Sequence, residues 1–308
     1  MTEDNFVTHS SAAGQKETSH RSSWRRLLFE DGAADVSFRK KCTTGLLFLP
    51  RPEEDTSCEL LTFHIEIEGS IAFESHRSTG VSKSNRSILV DWLVSVHAAR
   101  AFSTNALFLA ISILDRYCAV AMEYPDKKTI QLYGITSLLL ATKYHERHPL
   151  TAQQCAYYTA GAFTVKQVLE AESKILPAIG FRLSVPTVHT FAHIFFCAVG
   201  ADREVTAWTG FIAERVLYNF EMTKFRPSLI ALSVLNIVLS KSPNMATKVH
   251  QDVTEALNAH ILSATQCSEE EVLACMAMIN NQLLEPTLYA GSKKRKLDAV
   301  DKKYHQSL

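Results

Sequence analysis

Two stretches of this chain are apolar nearly all the way round a helix, and they restrict its fold more than any other feature. GITSLLLAT lies at 134–142 and SLIALSVLNIVLS at 228–240. A helix with no polar face has to be wrapped by other elements. Both runs fall short of the roughly 20 residues that span a bilayer, so neither predicts a membrane segment. Each therefore predicts the centre of a helical bundle. Helices are predicted around the first over 86–100, 104–121, 151–160 and 164–179, with the central one over 129–145. Ile88, Leu89, Trp92, Leu93 and Val96 recur at three- and four-residue steps, as do Leu107, Ile111, Leu114 and Cys118. Around the second run the candidates lie near 187–199, 203–221, 246–262 and 268–284. The expected fold is all-α, a five-helix unit used twice. The repeat rests on architecture, because identity between the halves is low. The boundary falls at Val185-Pro186, since a residue before proline is pushed out of the helical region.

Start signals agree with this division. Thr151-x-x-Gln154, Thr164-x-x-Gln167 and Ser268-x-x-Glu271 each fit a capping box, in which side chain and backbone satisfy each other's orphan donors. No convincing alternating strand occurs up to about 285. Residues 1–57 are rich in Ser, Thr, Lys, Arg and Glu and read as a disordered regulatory tail. The organisation expected is this tail, a first unit with a preceding helix over 58–185, a second unit over 186–285, and a C-terminal tail over 286–308.

With 32 basic and 32 acidic residues the formal charge is +0, which argues against a nucleic-acid sheath or a polybasic membrane binder. The start is polar and has no secretory signal. Seven cysteines with no Cys-x-x-Cys pair read as buried thiols in a reduced, intracellular protein. No glycine-rich phosphate loop, nucleophile elbow or pair of catalytic carboxylates stands out. The chain reads as a non-enzyme with no cofactor and no metal.

Four charged residues interrupt the apolar helices: Arg86 in RSILVDWL, Asp115 in ILDRY, Lys143 in LLLATKY and Glu172 in KQVLEAE. Charge is rarely buried unless paired, so two opposite-sign pairs suggest a polar device in a helical scaffold. Arg86 and Asp115 read as a buried pair joining two helices. Loss of one partner from such a pair costs roughly 3–5 kcal/mol. Lys143 and Glu172 read, on sequence alone, first as an internal salt bridge.

These segments resemble the cyclin family, and its A/B-type (mitotic) members most closely. RSILVDWLVSVH is similar to that family's MRAILVDWLVEV. LFLAISILDRY, IQLYG, LLLATKY, FTVKQVLEAESKIL and GFRLSVPT resemble successive segments of its first box, and LDAVDKKY near the end is also similar. Arg86, Asp115, Leu132, Lys143 and Glu172 match the positions that define the box. The resemblance implies two tandem five-helix cyclin boxes with a preceding N-terminal helix. It implies an activating subunit of a cyclin-dependent protein kinase in cell-cycle control, of the S/G2/M type. It also implies that Lys143, Glu172, Tyr144, Leu176, Phe181 and Leu183 meet the kinase, and that Ile88, Leu89, Trp92 and Gln131 form a docking patch for Arg-x-Leu peptides of substrates or inhibitors. Leu89 and Trp92 also fit a reading as core. Asn85 replaces the family's Met, and Ser95 an acidic residue, so docking there is expected to be weak. Pro177 stands where the family has a helix former and should end or kink that helix. His145 replaces an acidic residue beside the kinase surface.

Weaker motifs remain open. Arg25 and Leu28 match the core of a destruction box, which would make a ubiquitin ligase a partner. Arg25-x-Leu27 matches a docking peptide, and a chance match in a basic tail is the third reading. Lys293-Lys294-Arg295-Lys296 fits a nuclear localisation signal or a solvated tail, and the expected location is nucleus and cytoplasm. His189 and His193 have metal-pair spacing but no third ligand. Ser242-Pro243 fits a proline-directed phosphosite or an interhelix turn. The competing functions are a transcription adaptor built on the same fold and a transcriptional cyclin. The first needs a basic face and usually zinc-binding cysteines. The LVDWL and KQVLEAE segments weigh against the second.

Overall fold

The computed structural model describes residues 54–71, 82–121, 128–241, 251–285, 288–290 and 295–305. The first helix, α1, runs Glu54–Ser70, so helix begins inside the stretch expected to be tail. The first bundle follows as α2 (Lys83–Ala99), α3 (Thr104–Val120), α4 (Ile130–His145), α5 (Ala152–Tyr158) and α6 (Val165–Ala178). The second is α7 (Val188–Val199), α8 (Arg203–Val216), a short 3-10 turn (Phe220–Lys224), α9 (Pro227–Lys241), α10 (Gln251–Thr265) and α11 (Glu269–Leu284). Val185 and Pro186 lie between α6 and α7.

Each bundle is built round its apolar helix. α4 buries all but a few residues and packs against α2, α3, α5 and α6. α9 packs against α7, α8, α10 and α11. The few polar side chains on α4 are satisfied within the helix: Thr136 Oγ1 donates to the Leu132 carbonyl (2.8 Å) and Ser137 Oγ to that of Tyr133 (2.8 Å). Leu132 is itself buried. Gly134 lets α2 approach closely, because a Cβ there would lie 2.9 Å from the Leu89 side chain. All three predicted capping boxes are formed, at Thr151, Thr164 and Ser268.

The stretch expected to be a C-terminal tail is folded. β1 (Leu288–Ala290) pairs antiparallel with β2 (Arg295–Leu297), and α12 (Ala299–Tyr304) follows. α12 lies across α2 of the first bundle and α8 of the second. Three-residue strands leave no legible alternation and a six-residue helix no amphipathic period, so periodicity does not reveal this strap, although LDAVDKKY carries part of the family resemblance. Arg295 and Lys296 of the basic run lie in β2, and Lys296 Nζ pairs with Asp298 at 2.9 Å.

The bundles also meet through polar contacts. Glu68 of α1 is buried and accepts from Ser228 N (2.8 Å) and Oγ (2.6 Å) in the first turn of α9. Asp91 of α2 accepts from the Tyr218 hydroxyl and from Ala299 N, both at 2.9 Å. Burial and the Asp91 charge raise the Tyr218 pKa, which keeps the phenol protonated as a donor.

Candidate functional site

Arg86 and Asp115 come together as the sequence suggested. Arg86 Nε and Nη2 each donate to one Asp115 oxygen at 2.7 Å, a two-pronged contact joining α2 to α3. Its Nη1 donates to the Leu217 carbonyl at 2.8 Å, so the same guanidinium also holds the second bundle. This pair is scaffold at the junction of the two units.

Lys143 and Glu172 are placed on the outside. Lys143 lies in the last turn of α4 and Glu172 midway along α6, with Lys143 Nζ donating to Glu172 Oε1 at 2.6 Å. The lysine side chain is 45% exposed and the glutamate 15%. The ammonium has donors to spare and the second carboxylate oxygen has acceptor capacity. α6 turns Val168, Ala171 and Ile175 to the core, and Leu169, Glu172 and Leu176 follow the neighbouring stripe.

The apolar residues assigned to this face divide. Tyr144 and Phe181 are exposed, Phe181 at 67%, whereas Leu176 and Leu183 are half-buried against the core. Leu169 is 48% exposed, and sequence reading passed it over; its i, i+3, i+7 spacing with Glu172 and Leu176 was the available signal. Pro177 does end the helix: α6 stops one residue later, at Ala178. Gly180 then takes φ +62° and Phe181 φ +56°, with Phe181 N donating to the Leu176 carbonyl at 2.8 Å. An aromatic in the left-handed region is uncommon. Here it turns the ring to solvent.

The docking patch is only partly a surface. Ile88, Trp92, Gln131 and Asn85 are half-buried and Ser95 is exposed. Leu89 belongs to the core instead, 5% exposed and packed on Gly134. The close approach of α2 and α4 seals it. Ser95 Oγ donates to the Asp91 carbonyl at 3.1 Å, back into its own helix.

The histidine pair gains no further ligand among the described residues. His189 stacks on Phe108 with ring centres 5.7 Å apart, and burial pushes its pKa down to about 4. Among the described residues no group of three or more His, Cys, Asp or Glu is placed to hold a metal. Burial pushes the thiols of Cys118 and Cys155 up to about 12, which makes them inert. No helix among the described residues is long and apolar enough to cross a membrane. Arg25, Leu28, Lys293, Lys294 and the Ser242-Pro243 step lie outside the described residues.

The protein-family model described as Cyclin, N-terminal domain, matches residues 64–184, and that described as Cyclin, C-terminal domain, matches 186–308. The chain belongs to the cyclin family. Cyclin-B1-2 of Arabidopsis thaliana is 30% identical over 246 residues, covering 79% of this chain and 51% of the relative. Cyclin-B2-2 of Oryza sativa subsp. indica is 31% identical over 229 residues, covering 73% of this chain and 49% of the relative. Cyclin-A2-1 of Oryza sativa subsp. japonica is 35% identical over 160 residues, covering 50% of this chain and 32% of the relative. Such names place this cyclin in the A/B branch. The chain spans about half the length of the first two of these relatives. A viral cyclin from herpesvirus saimiri shares the fold, with a TM-score of 0.57 and 18% identity, covering 75% of this chain and 97% of its own. The two bundles are thus two cyclin boxes, and the second family match runs through the folded strap to the end of the chain.

Proposed function

We propose that this cyclin is the non-catalytic, activating subunit of a cyclin-dependent protein kinase in cell-cycle control, working in nucleus and cytoplasm. The observation that carries the reading is the Lys143–Glu172 pair, with the lysine open to solvent, together with the exposed side chains of Tyr144, Leu169 and Phe181. A kinase is active when the Glu of its regulatory helix pairs with the Lys that holds the ATP phosphates. A partner enforces that state only by binding the inward helix better than the outward one. Shifting a kinase from 1:99 to 99:1 takes about 5.5 kcal/mol of differential binding. The exposed apolar side chains supply area, and the charged pair supplies direction. Lys143 reaches solvent while Glu172 is largely covered, so the pair opens only where the partner offers the carboxylate new donors in place of the ammonium. The freed ammonium can then meet orphan carbonyls at a helix end, and the carboxylate can meet orphan amides.

The test is co-purification with a candidate kinase followed by phosphorylation of a histone-type substrate. Lys143→Ala with Glu172→Ala should abolish activation while the circular-dichroism melt stays close to that of the parent. Normal activation by the double variant would sink the assignment.

A further inference from the structure

A cavity of about 410 Å³ lies where the two boxes meet, beneath α1 and beside the α6–α7 connection. Small-ligand sites range over roughly 300–1,000 Å³ and favour domain junctions. Its walls are mostly apolar, with Ile111 and Ile230 among them. Charged groups also line it, and they are not balanced. Asp115 is occupied by Arg86, and Glu68 is occupied by Ser228. Arg116 and Arg182 have no carboxylate partner among the described residues. Arg116 Nη1 donates to the Arg182 carbonyl (2.8 Å) and Nη2 to that of Ile179 (3.2 Å), while Arg182 Nη1 donates to the Ser70 carbonyl at 3.4 Å. Burial, and to a smaller extent the neighbouring Arg182 charge, lowers the Arg116 pKa, as expected of a guanidinium held away from water without a carboxylate. An anion would relieve that, and the apolar walls call for a greasy body behind it.

We propose that this interbox cavity binds a small amphipathic carboxylate, its apolar body between the boxes and its headgroup on Arg116 and Arg182. The site is separate from the Lys143–Glu172 face and does not depend on the kinase reading.

The full chain is titrated by calorimetry with dodecanoate and with 1-dodecanol. The expected result is one dodecanoate per chain, bound at least about tenfold more tightly than the alcohol, the order of one charge-assisted hydrogen bond. Arg182→Ala should remove that preference. Ser112 lines the cavity, so Ser112→Phe should fill it and abolish binding. Val120→Trp, at an exposed position on the rim, serves the same end if Ser112→Phe does not fold. Equal affinity for acid and alcohol, no binding, or binding indifferent to a folded filling variant would each overturn the proposal.

Discussion

His97 shows what a single side chain can disclose. It is 2% exposed, and its Nε2 lies 2.9 Å from the Ser103 carbonyl, which makes Nε2 the protonated nitrogen. Its Nδ1 is buried without a partner, so a second proton would have no acceptor. Burial, then the Lys303 charge, pushes the pKa down to about 3. Between the unfolded value near 6.5 and that figure, the unfolded chain binds more protons than the folded one. Stability is therefore complete above about pH 6.5 and falls as pH drops toward 3. Buried Glu68 and Asp301 have raised pKa values, chiefly from burial, and act in the opposite sense at the lower end of that range. Urea midpoints of the parent against His97→Gln, from pH 7 to 4.5, isolate the histidine. The parent should lose stability more steeply, and parallel curves would refute the linkage. At this scale sequence was a good guide to charge and a poor one to exposure. Arg86, Asp115, Lys143 and Glu172 stood out because ions inside apolar helices demand partners. Leu89 could not be told from its half-exposed neighbour Ile88, since only the closeness of Gly134 decides which of them is sealed.

Helices were legible wherever both their period and their caps were written locally. Thr164 shows why. Its hydroxyl accepts from Gln167 N at 3.3 Å, and the Gln167 side chain accepts from Thr164 N at 2.8 Å, which fixes the start of α6 within one residue of expectation. That start also sets where Glu172 emerges. Thr164→Ala should cost about 1 kcal/mol, in line with other cap removals, and show as a lower denaturation midpoint with an unchanged slope. A change below a few tenths would mean that packing alone positions the helix. Its far end was less legible. Pro177 signalled a stop, but the left-handed pair Gly180-Phe181, which throws an aromatic ring to solvent, has no sequence signature that distinguishes it from an ordinary exit. The 203–221 prediction ran too long for a related reason. Its apolar period continues past Val216, but the chain there turns into the 3-10 segment that meets α2, a tertiary demand overriding local pattern.

The whole molecule is locked by ions that periodicity does not reveal. Glu214 of α8 is fully buried, and its Oε1 accepts from Lys303 Nζ at 2.5 Å and from the Tyr304 hydroxyl at 2.9 Å. Arg215 beside it donates to Asp301 at 2.8 Å and to the Glu285 carbonyl at 3.0 Å. Two adjacent residues of the second box thus hold α12, while Asp91 of the first box holds its opening amide. The strap ties the boxes together because charges buried in one can be neutralised only by a segment that reaches both. Removing one partner of a buried pair strands the other and costs about 3–5 kcal/mol, whereas removing both can be nearly neutral. Lys303→Met alone should therefore lower the unfolding free energy more than Lys303→Met combined with Glu214→Gln, since the neutral amide keeps the Tyr304 bond without stranding a charge. A double-mutant cycle by denaturant unfolding measures this, and the coupling should fall between about 0.5 and 3 kcal/mol. Additive single changes would mean that the strap is held by Ala299 and Val300 packing, with the ions only decorating its edge.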